Sequence, residues 1–253
     1  MNTKGALGRN RTKEKRYAFD QAFDKNSGQV QIYQNTTKFL IEGVLHGFNA
    51  TVFAYGATGA GKTYTMVGTE NNPGNMFLAF QDLFLKMKES EKEKKYVIRV
   101  SFLEIYNEQI RDLIVISQDF LEMREDPDKG ITVAGLSEVE VETPEEVMEL
   151  LFYGNQNRTQ EATGANETSS RSHAVLQITV EEKDRAEGIH SQINIGKLSL
   201  IDLAGTERAS KTNNRGIRML EGAKINRSLL ALGNCINALV DEMKTNKKNH
   251  IPY

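Results

Sequence analysis

Gly56-Ala57-Thr58-Gly59-Ala60-Gly61-Lys62-Thr63 matches the pattern G-x-x-x-x-G-K-[ST] at every position. Its neighbours supply the context that gives the pattern meaning. Ala50-Thr-Val-Phe-Ala-Tyr55 is a β-branched and aromatic run bounded by Gly56, and it reads as a buried strand. Beyond the loop, Met76, Phe77, Phe80, Leu83, Phe84 and Met87 recur at helical spacing. Glycines in such a loop let backbone N–H groups turn inward, where they can hold a polyphosphate. Lys62 can reach the β- and γ-phosphates, and the Thr63 hydroxyl can ligate Mg²⁺.

Working outward, Val30, Tyr33, Thr37, Leu40, Ile41, Val44 and Phe48 predict one amphipathic helix. Tyr96 to Tyr106 alternates as a long strand, and short strands follow around Leu121–Arg124, Ile131–Val133 and Val139–Val141. Asp126-Pro-Asp-Lys-Gly130 is turn chemistry between them. Thr143-Pro-Glu-Glu146 opens a helix running to about Asn157: Thr143 caps, Pro144 takes the first position and Glu146 completes a capping box. A polar loop from Arg158 to His173 leads into strands at Ala174–Glu181 and Ile195–Asp202. A long helix from Met219 to Met243 puts Ile225, Leu229, Leu232, Ile236 and Leu239 on one face. Strands alternating with helices predict an α/β fold: a mostly parallel central sheet with helices on both faces. A basic tail, residues 1–16, precedes one domain, residues 17–253.

Composition narrows the function. Lysine and arginine number 32 against 34 acidic residues, a net charge of −2, which disfavours a globally basic nucleic-acid binder. The chain is 39% hydrophobic and 26% charged, which argues against a membrane protein and against wholesale disorder. No apolar run approaches the ~18 residues needed to span a bilayer, and no secretory signal is visible. The single cysteine, Cys235, excludes an internal disulfide and a cysteine-based zinc site, and suits a reducing compartment.

Two further segments carry phosphate-site chemistry. Asn166-Glu-Thr-Ser-Ser-Arg-Ser-His173 clusters hydroxyls and an arginine just before a strand. Asp202-Leu-Ala-Gly-Thr-Glu207 ends an apolar strand, where Asp202 can bond a Mg²⁺-bound water and the Gly205 N–H can approach a γ-phosphate. Each alone has an ordinary reading, a polar loop or a capped turn. In the order cradle, loop, Asp-x-x-Gly they read as a nucleotide switch. No Asn/Thr-Lys-x-Asp guanine-reading motif occurs, which disfavours a Ras-like GTPase. No acceptor site for another phosphotransferase is visible either.

These segments, with Glu221-Gly-Ala-Lys-Ile-Asn-Arg-Ser-Leu-Leu-Ala-Leu-Gly-Asn234, resemble the P-loop, switch I, switch II and relay helix of the kinesin motor domain. Tyr17-Ala-Phe-Asp-Gln-Ala-Phe23, Leu103 to Leu113 and His250-Ile-Pro-Tyr253 extend the likeness over about residues 17–253. Asn157-Arg-Thr-Gln160 and Arg227 to Leu239 are most similar to kinesin-8 proteins. The resemblance implies a P-loop NTPase that hydrolyses ATP with Mg²⁺ and moves on microtubules in the cytoplasm, with no membrane or nucleic-acid partner. It implies roles residue by residue. Gly56 to Thr63 hold the phosphates and Tyr64 stacks near adenine. Thr63, Ser170 and Asp202, the last through water, serve the metal. Ser169 places the attacking water and Gly205 senses the γ-phosphate. Arg171 and Glu207 form a salt bridge that latches the two switches.

The resemblance also implies a microtubule surface after switch II. Arg208, Lys211, Arg215, Arg218, Lys224 and Arg227 stand there against Glu221 alone, a local charge of +5. The segment lacks aromatics on which bases could stack. Glu138 to Glu149 carries six acids and no base, so that face should point away from tubulin. Thr206 and Lys224 depart mildly from the family wording. More serious, the family's first strand and its last helices, strand and neck linker have no counterpart here. That predicts an exposed edge beside Ala50–Tyr55, weak nucleotide binding by this chain alone and no neck-linker stroke. Homodimerisation is expected only through regions outside the chain. The competing reading is a non-catalytic tubulin-binding module that keeps the family outline.

Overall fold

The computed structural model describes residues 16–127, 130–160, 170–185, 193–206, 217–245 and 250–251. The elements run α1 (Gln29–Thr36), α2 (Lys38–Leu45), β1 (Ala50–Ala54), α3 (Lys62–Met66), β2 (Gly68–Thr69), β3 (Asn72–Pro73), α4 (Asn75–Ser90), β4 (Lys94–Tyr106) and β5 (Gln109–Asp112). Then come β6 (Glu122–Asp126), β7 (Gly130–Ala134), β8 (Val139–Val141), α5 (Pro144–Gln160), β9 (His173–Asp184), β10 (Ile193–Asp202) and α6 (Ile217–Thr245).

The helix expected over Val30–Phe48 is two helices. The Thr36 hydroxyl donates to the Ile32 carbonyl at 2.7 Å; such back-bonding bends a helix, and the chain breaks at Thr37. The Thr143 cap forms as the sequence indicates, but Glu146 closes onto the Glu142 N–H, one residue before the Thr143 N–H that a capping box would use. Thr143 Oγ1 accepts from the Glu146 N–H at 3.3 Å, and the Glu146 carboxylate accepts from the Glu142 N–H at 2.8 Å.

The central sheet has the order β1-β10-β9-β4-β5, with β8 also on β4. Here the mostly parallel expectation is corrected. Among the described strands only β1 and β10 pair in parallel; the β10–β9, β9–β4, β4–β5 and β4–β8 pairs are antiparallel. Only residues 185–192 join β9 to β10 in sequence, fewer than the dozen or so that a parallel crossover needs. The sheet is therefore mixed, flanked by helices, and the α/β class stands.

One face of the sheet carries the core. Ile98, Val100 and Phe102 of β4, Leu176, Ile178 and Val180 of β9, and Leu198 and Leu200 of β10 alternate inward. They meet Ile41 and Val44 of α2, Met76, Phe80 and Leu83 of α4, and Val147 and Leu151 of α5. Each such side chain contributes about 1.5–3 kcal/mol on burial. Gly196 lets α2 sit directly on β10, because a Cβ there would lie 2.0 Å from the Val44 carbonyl oxygen. By strand alternation His173 points to the opposite side, where Ser228 of α6 meets it.

Among the described strands β1 pairs with β10 alone, and Phe53 and Tyr55 are exposed. This is where an exposed edge is expected. Residues 17–23 contain no strand; Tyr17 and Phe19 are exposed and stack with ring centroids 6.4 Å apart. No described helix is long and apolar enough to cross a membrane.

Candidate nucleotide-binding site

Strand pairing alone brings the distant segments together. β1 and β10 run parallel with Ala54 beside Asp202. The loop after β1 and the loop after β10 therefore leave the sheet at the same end, the crevice position at which open α/β sheets bind ligands. β9 is antiparallel to both neighbours, with Ala174 opposite Asp202 on one side and Glu104 on the other. Its entry, Ser170 to His173, thus starts at that same end.

The loop between β1 and α3 is the cradle. Gly59 and Gly61 have φ of +78° and +87°, a region in which a Cβ is strained. Gly59 and Gly61 are therefore required by backbone shape. The first-turn amides of α3, which include Lys62 and Thr63, have no partner within their own helix. Lys62 Nζ donates to the Ala57 carbonyl at 3.1 Å, folded back over its own loop. Tyr64 is half exposed, and its hydroxyl accepts from Asn72 Nδ2 at 2.6 Å.

The three segments touch. Gly205 N–H donates to the Ser170 carbonyl at 2.8 Å, and Thr206 N–H donates to the Gly56 carbonyl at 3.2 Å. Thr63 Oγ1 donates to Asp202 Oδ2 at 2.7 Å. Asp202 is buried, and its other oxygen, Oδ1, accepts no hydrogen bond. A buried carboxylate oxygen without a donor calls for an explanation. A hydrated Mg²⁺ provides one, because it takes oxygen ligands and usually keeps several waters. Thr63, Asp202 and Ser170 fit that donor set.

Sequence reasoning missed the buried side of this site. Arg158, in the last turn of α5, is 1% exposed. Its Nη1 donates to Asp202 Oδ2 at 2.9 Å. Its Nε and Nη2 donate to the Ser172 hydroxyl and carbonyl at 3.1 and 2.9 Å. Nε also lies 3.8 Å from Glu104 Oε1. The available signals were an acid on the core-facing side of β4 and an arginine closing a helix just before the polar loop.

In the sequence His173 marks only the end of that loop. Its Nδ1 accepts from the Ala204 N–H at 3.1 Å, and its Nε2 lies 3.2 Å from the Ser228 hydroxyl. Burial, reinforced by the positive Arg158, pushes its pKa down from 6.5 to about 4, while Asp202 opposes the shift. The folded protein thus holds His173 neutral where the unfolded chain would protonate it. Its contribution to stability is present above about pH 6.5 and is lost as pH falls toward 4. Acid-unfolding curves of the native chain and His173→Gln are expected to converge over that window, the native chain losing more stability as pH falls. Parallel curves would contradict the assignment.

Of the other expected site residues, Ser169, Glu207, Arg208, Lys211 and Arg215 lie outside the described residues, and so does the Arg171–Glu207 latch. Arg218 lies on α6. Lys224 and Arg227 are exposed on α6, and Lys224 Nζ is 3.5 Å from the Asn107 carbonyl of the β4–β5 turn.

A glycine-rich phosphate loop, a buried Asp-x-x-Gly and a serine segment that share backbone bonds define a P-loop nucleotide-binding protein of the switch type. The family model described as the kinesin motor domain matches residues 2–253, reaching into the stretch read as a basic tail. The chain belongs to the kinesin motor domain family. It is 56% identical over 236 residues to kinesin-like protein KIF19 of Homo sapiens, covering 93% of this chain and 24% of that protein. It is 51% identical over 243 residues to kinesin-like protein KIN-8A of Arabidopsis thaliana, covering 96% and 33%. The chain spans about a quarter to a third of the length of these curated relatives, which are kinesin-8 proteins. Among solved structures, that of a fast kinesin, described with its ATPase mechanism and interactions with microtubules, superposes with a TM-score of 0.83 at 40% identity. That match covers 94% of this chain and 66% of the other.

Proposed function

We propose that the chain supplies the ATP-hydrolysing, track-binding part of a kinesin-8-like microtubule motor. The observation that carries this reading is the meeting of three separated segments at one point: Gly205 on Ser170, Thr206 on Gly56, and Thr63 on Asp202. A loop pair bonded to each other and to the phosphate cradle can report whether a γ-phosphate is present.

In this reading Lys62 and the amides of residues 56–63 bind the phosphates, and Tyr64 lies beside the adenine. When bound, Mg²⁺ neutralises phosphate charge. Thr63 and Ser170 would hold it directly and Asp202 through water. The Gly205 N–H turns from the Ser170 carbonyl to the γ-phosphate, Ser169 places the attacking water, and Arg171 with Glu207 closes the two loops. Arg208, Lys211, Arg215, Arg218, Lys224 and Arg227 face the acidic filament. A place on cytoplasmic microtubules, in cilium or spindle, and a homodimer formed through segments outside these residues belong to the same proposal. The intact Lys62, Thr63 and Asp202 set favours it over a non-catalytic tubulin-binding module.

Co-sedimentation with stabilised microtubules tests it, run with AMP-PNP and with ADP beside phosphate release. The expected result is more chain pelleted with AMP-PNP than with ADP, and phosphate release stimulated by microtubules. Equal pelleting in both nucleotides without phosphate release would identify the non-catalytic module instead.

A further inference from the structure

At the other end of the sheet order from β1, β8 is a second bare edge: among the described strands it pairs with β4 alone. A groove of about 630 Å³ lies between it and the first turns of α5. Val139, Glu140 and Val141 all line that groove. Consecutive strand residues point to opposite faces, so a groove that touches all three follows the edge of the strand. Leu150 and the half-exposed Tyr153 give it an apolar wall. Its charges are all negative: Glu140, Glu142, Glu146 and Glu149. Glu140 has Arg99 at 3.8 Å, and Glu146 accepts from the Glu142 N–H. Among the described residues no base pairs with Glu142, Glu146 or Glu149.

Carboxylates along an open edge have an ordinary use, which is to keep wrong strands away. Here they bar a second β8, because an antiparallel match of Val139–Val141 with itself sets Glu140 opposite its own copy. They do not bar a basic strand, and the chain carries one. Arg9, Arg11, Lys13 and Lys15 alternate with Asn10, Thr12 and Glu14. A basic residue at every second position has the period of a strand, which puts all four cations on one face. Four bases against one acid leave the segment at +3. We propose that residues 9–15 of a second copy add to the free edge of β8 and lay their basic face over its glutamates. Backbone bonds along the edge supply affinity and the ion pairs supply selectivity, the usual division in strand addition. Within one molecule Lys15 is joined directly to Arg16, so no linker separates the segment from the described chain; between two molecules that tether is absent. The contact is distinct from a homodimer formed through segments outside these residues, and it does not depend on the nucleotide-site reading.

The test is sedimentation velocity of the 253-residue chain over a range of concentrations, at low and high salt. Three proteins are compared: native, the groove variant E142Q/E149Q, and the segment variant R9Q/R11Q/K13Q/K15Q. The native chain should self-associate at low salt and less so at high salt. Each variant should need about fivefold more protein to associate, the loss expected for two or more exposed ion pairs. Mixing the two variants should restore association, because each keeps the half that the other lacks. A native chain that stays monomeric overturns the proposal. So does association unchanged in either variant, which would place the contact elsewhere, for example on the β1 edge, and so does failure of the mixture to associate. Zero-length cross-linking of mixed heavy- and light-isotope native chain is a second measurement that needs no variant. Links from Lys13 or Lys15 to Glu142, Glu146 or Glu149 between heavy and light copies support the proposal. Such links only within one copy, or none at all, overturn it.

Discussion

Lys62→Ala is expected to weaken binding of ATP and ADP by about two orders of magnitude without unfolding the chain. A charge-assisted hydrogen bond is worth about 1.5–3 kcal/mol. Loss of the ammonium contacts to two phosphates thus costs roughly 3 kcal/mol, which is roughly a hundredfold at 1.36 kcal/mol per decade. The fold should not notice. Lys62 is half buried, and its single described hydrogen bond is to Ala57 of its own loop. Isothermal titration beside thermal melting checks both halves. Unchanged affinity would remove the lysine from the site, and a large fall in melting temperature would make its role structural.

Arg158→Ala is expected to have the opposite profile, a stability loss first. It leaves Asp202 and Glu104 buried without their counter-ion and strips two hydrogen bonds from Ser172. Breaking a buried pair by removing one partner costs about 3–5 kcal/mol. In a chain of this size that lowers the melting temperature by roughly 10 °C. Arg158→Lys, which keeps the charge but not the fork of donors, should fall between. Melting the three proteins without nucleotide is the check. A fall of only a degree or two for Arg158→Ala would mean that the ion pair is not holding the switch strands to α5.

These two residues also mark what the sequence could and could not disclose. Lys62 was legible because a phosphate cradle is local: eight consecutive residues, with Gly59 and Gly61 fixed by positive φ, carry its chemistry. Asp202 and Gly205 were legible for the same reason, as a short motif at the end of an apolar strand. Arg158 and Glu104 were not. Their pairing spans 54 positions and depends on β4 standing next to β9, with α5 packed across them. No periodicity reports such a contact.

Strand direction failed on similar grounds. The alternation of strands and helices predicts parallel neighbours, yet β9 and β10 are joined by residues 185–192 alone, too short a connection for a parallel crossover. β5 was overlooked because its turn from β4 runs through Asn107 and Glu108, with φ of 54° and 68°. Glutamate is not a residue that announces such a turn. The single helix expected over residues 30–48 broke at Thr37 because a hydroxyl bond outweighed the apolar spacing.

Amide hydrogen exchange over the peptides covering residues 56–64, 170–175 and 202–206 reaches the nucleotide-switch reading most directly. It should be followed with Mg²⁺–AMP-PNP, with Mg²⁺–ADP and in EDTA. The expected result is protection of 56–64 by both magnesium nucleotides. The other two peptides should gain protection together, and only when the γ-phosphate mimic is present. Exchange at 56–64 that ignores nucleotide, or identical protection of all three peptides by ADP and AMP-PNP, would contradict a site that holds a polyphosphate at Lys62 and reads its last phosphate at Ser170 and Gly205.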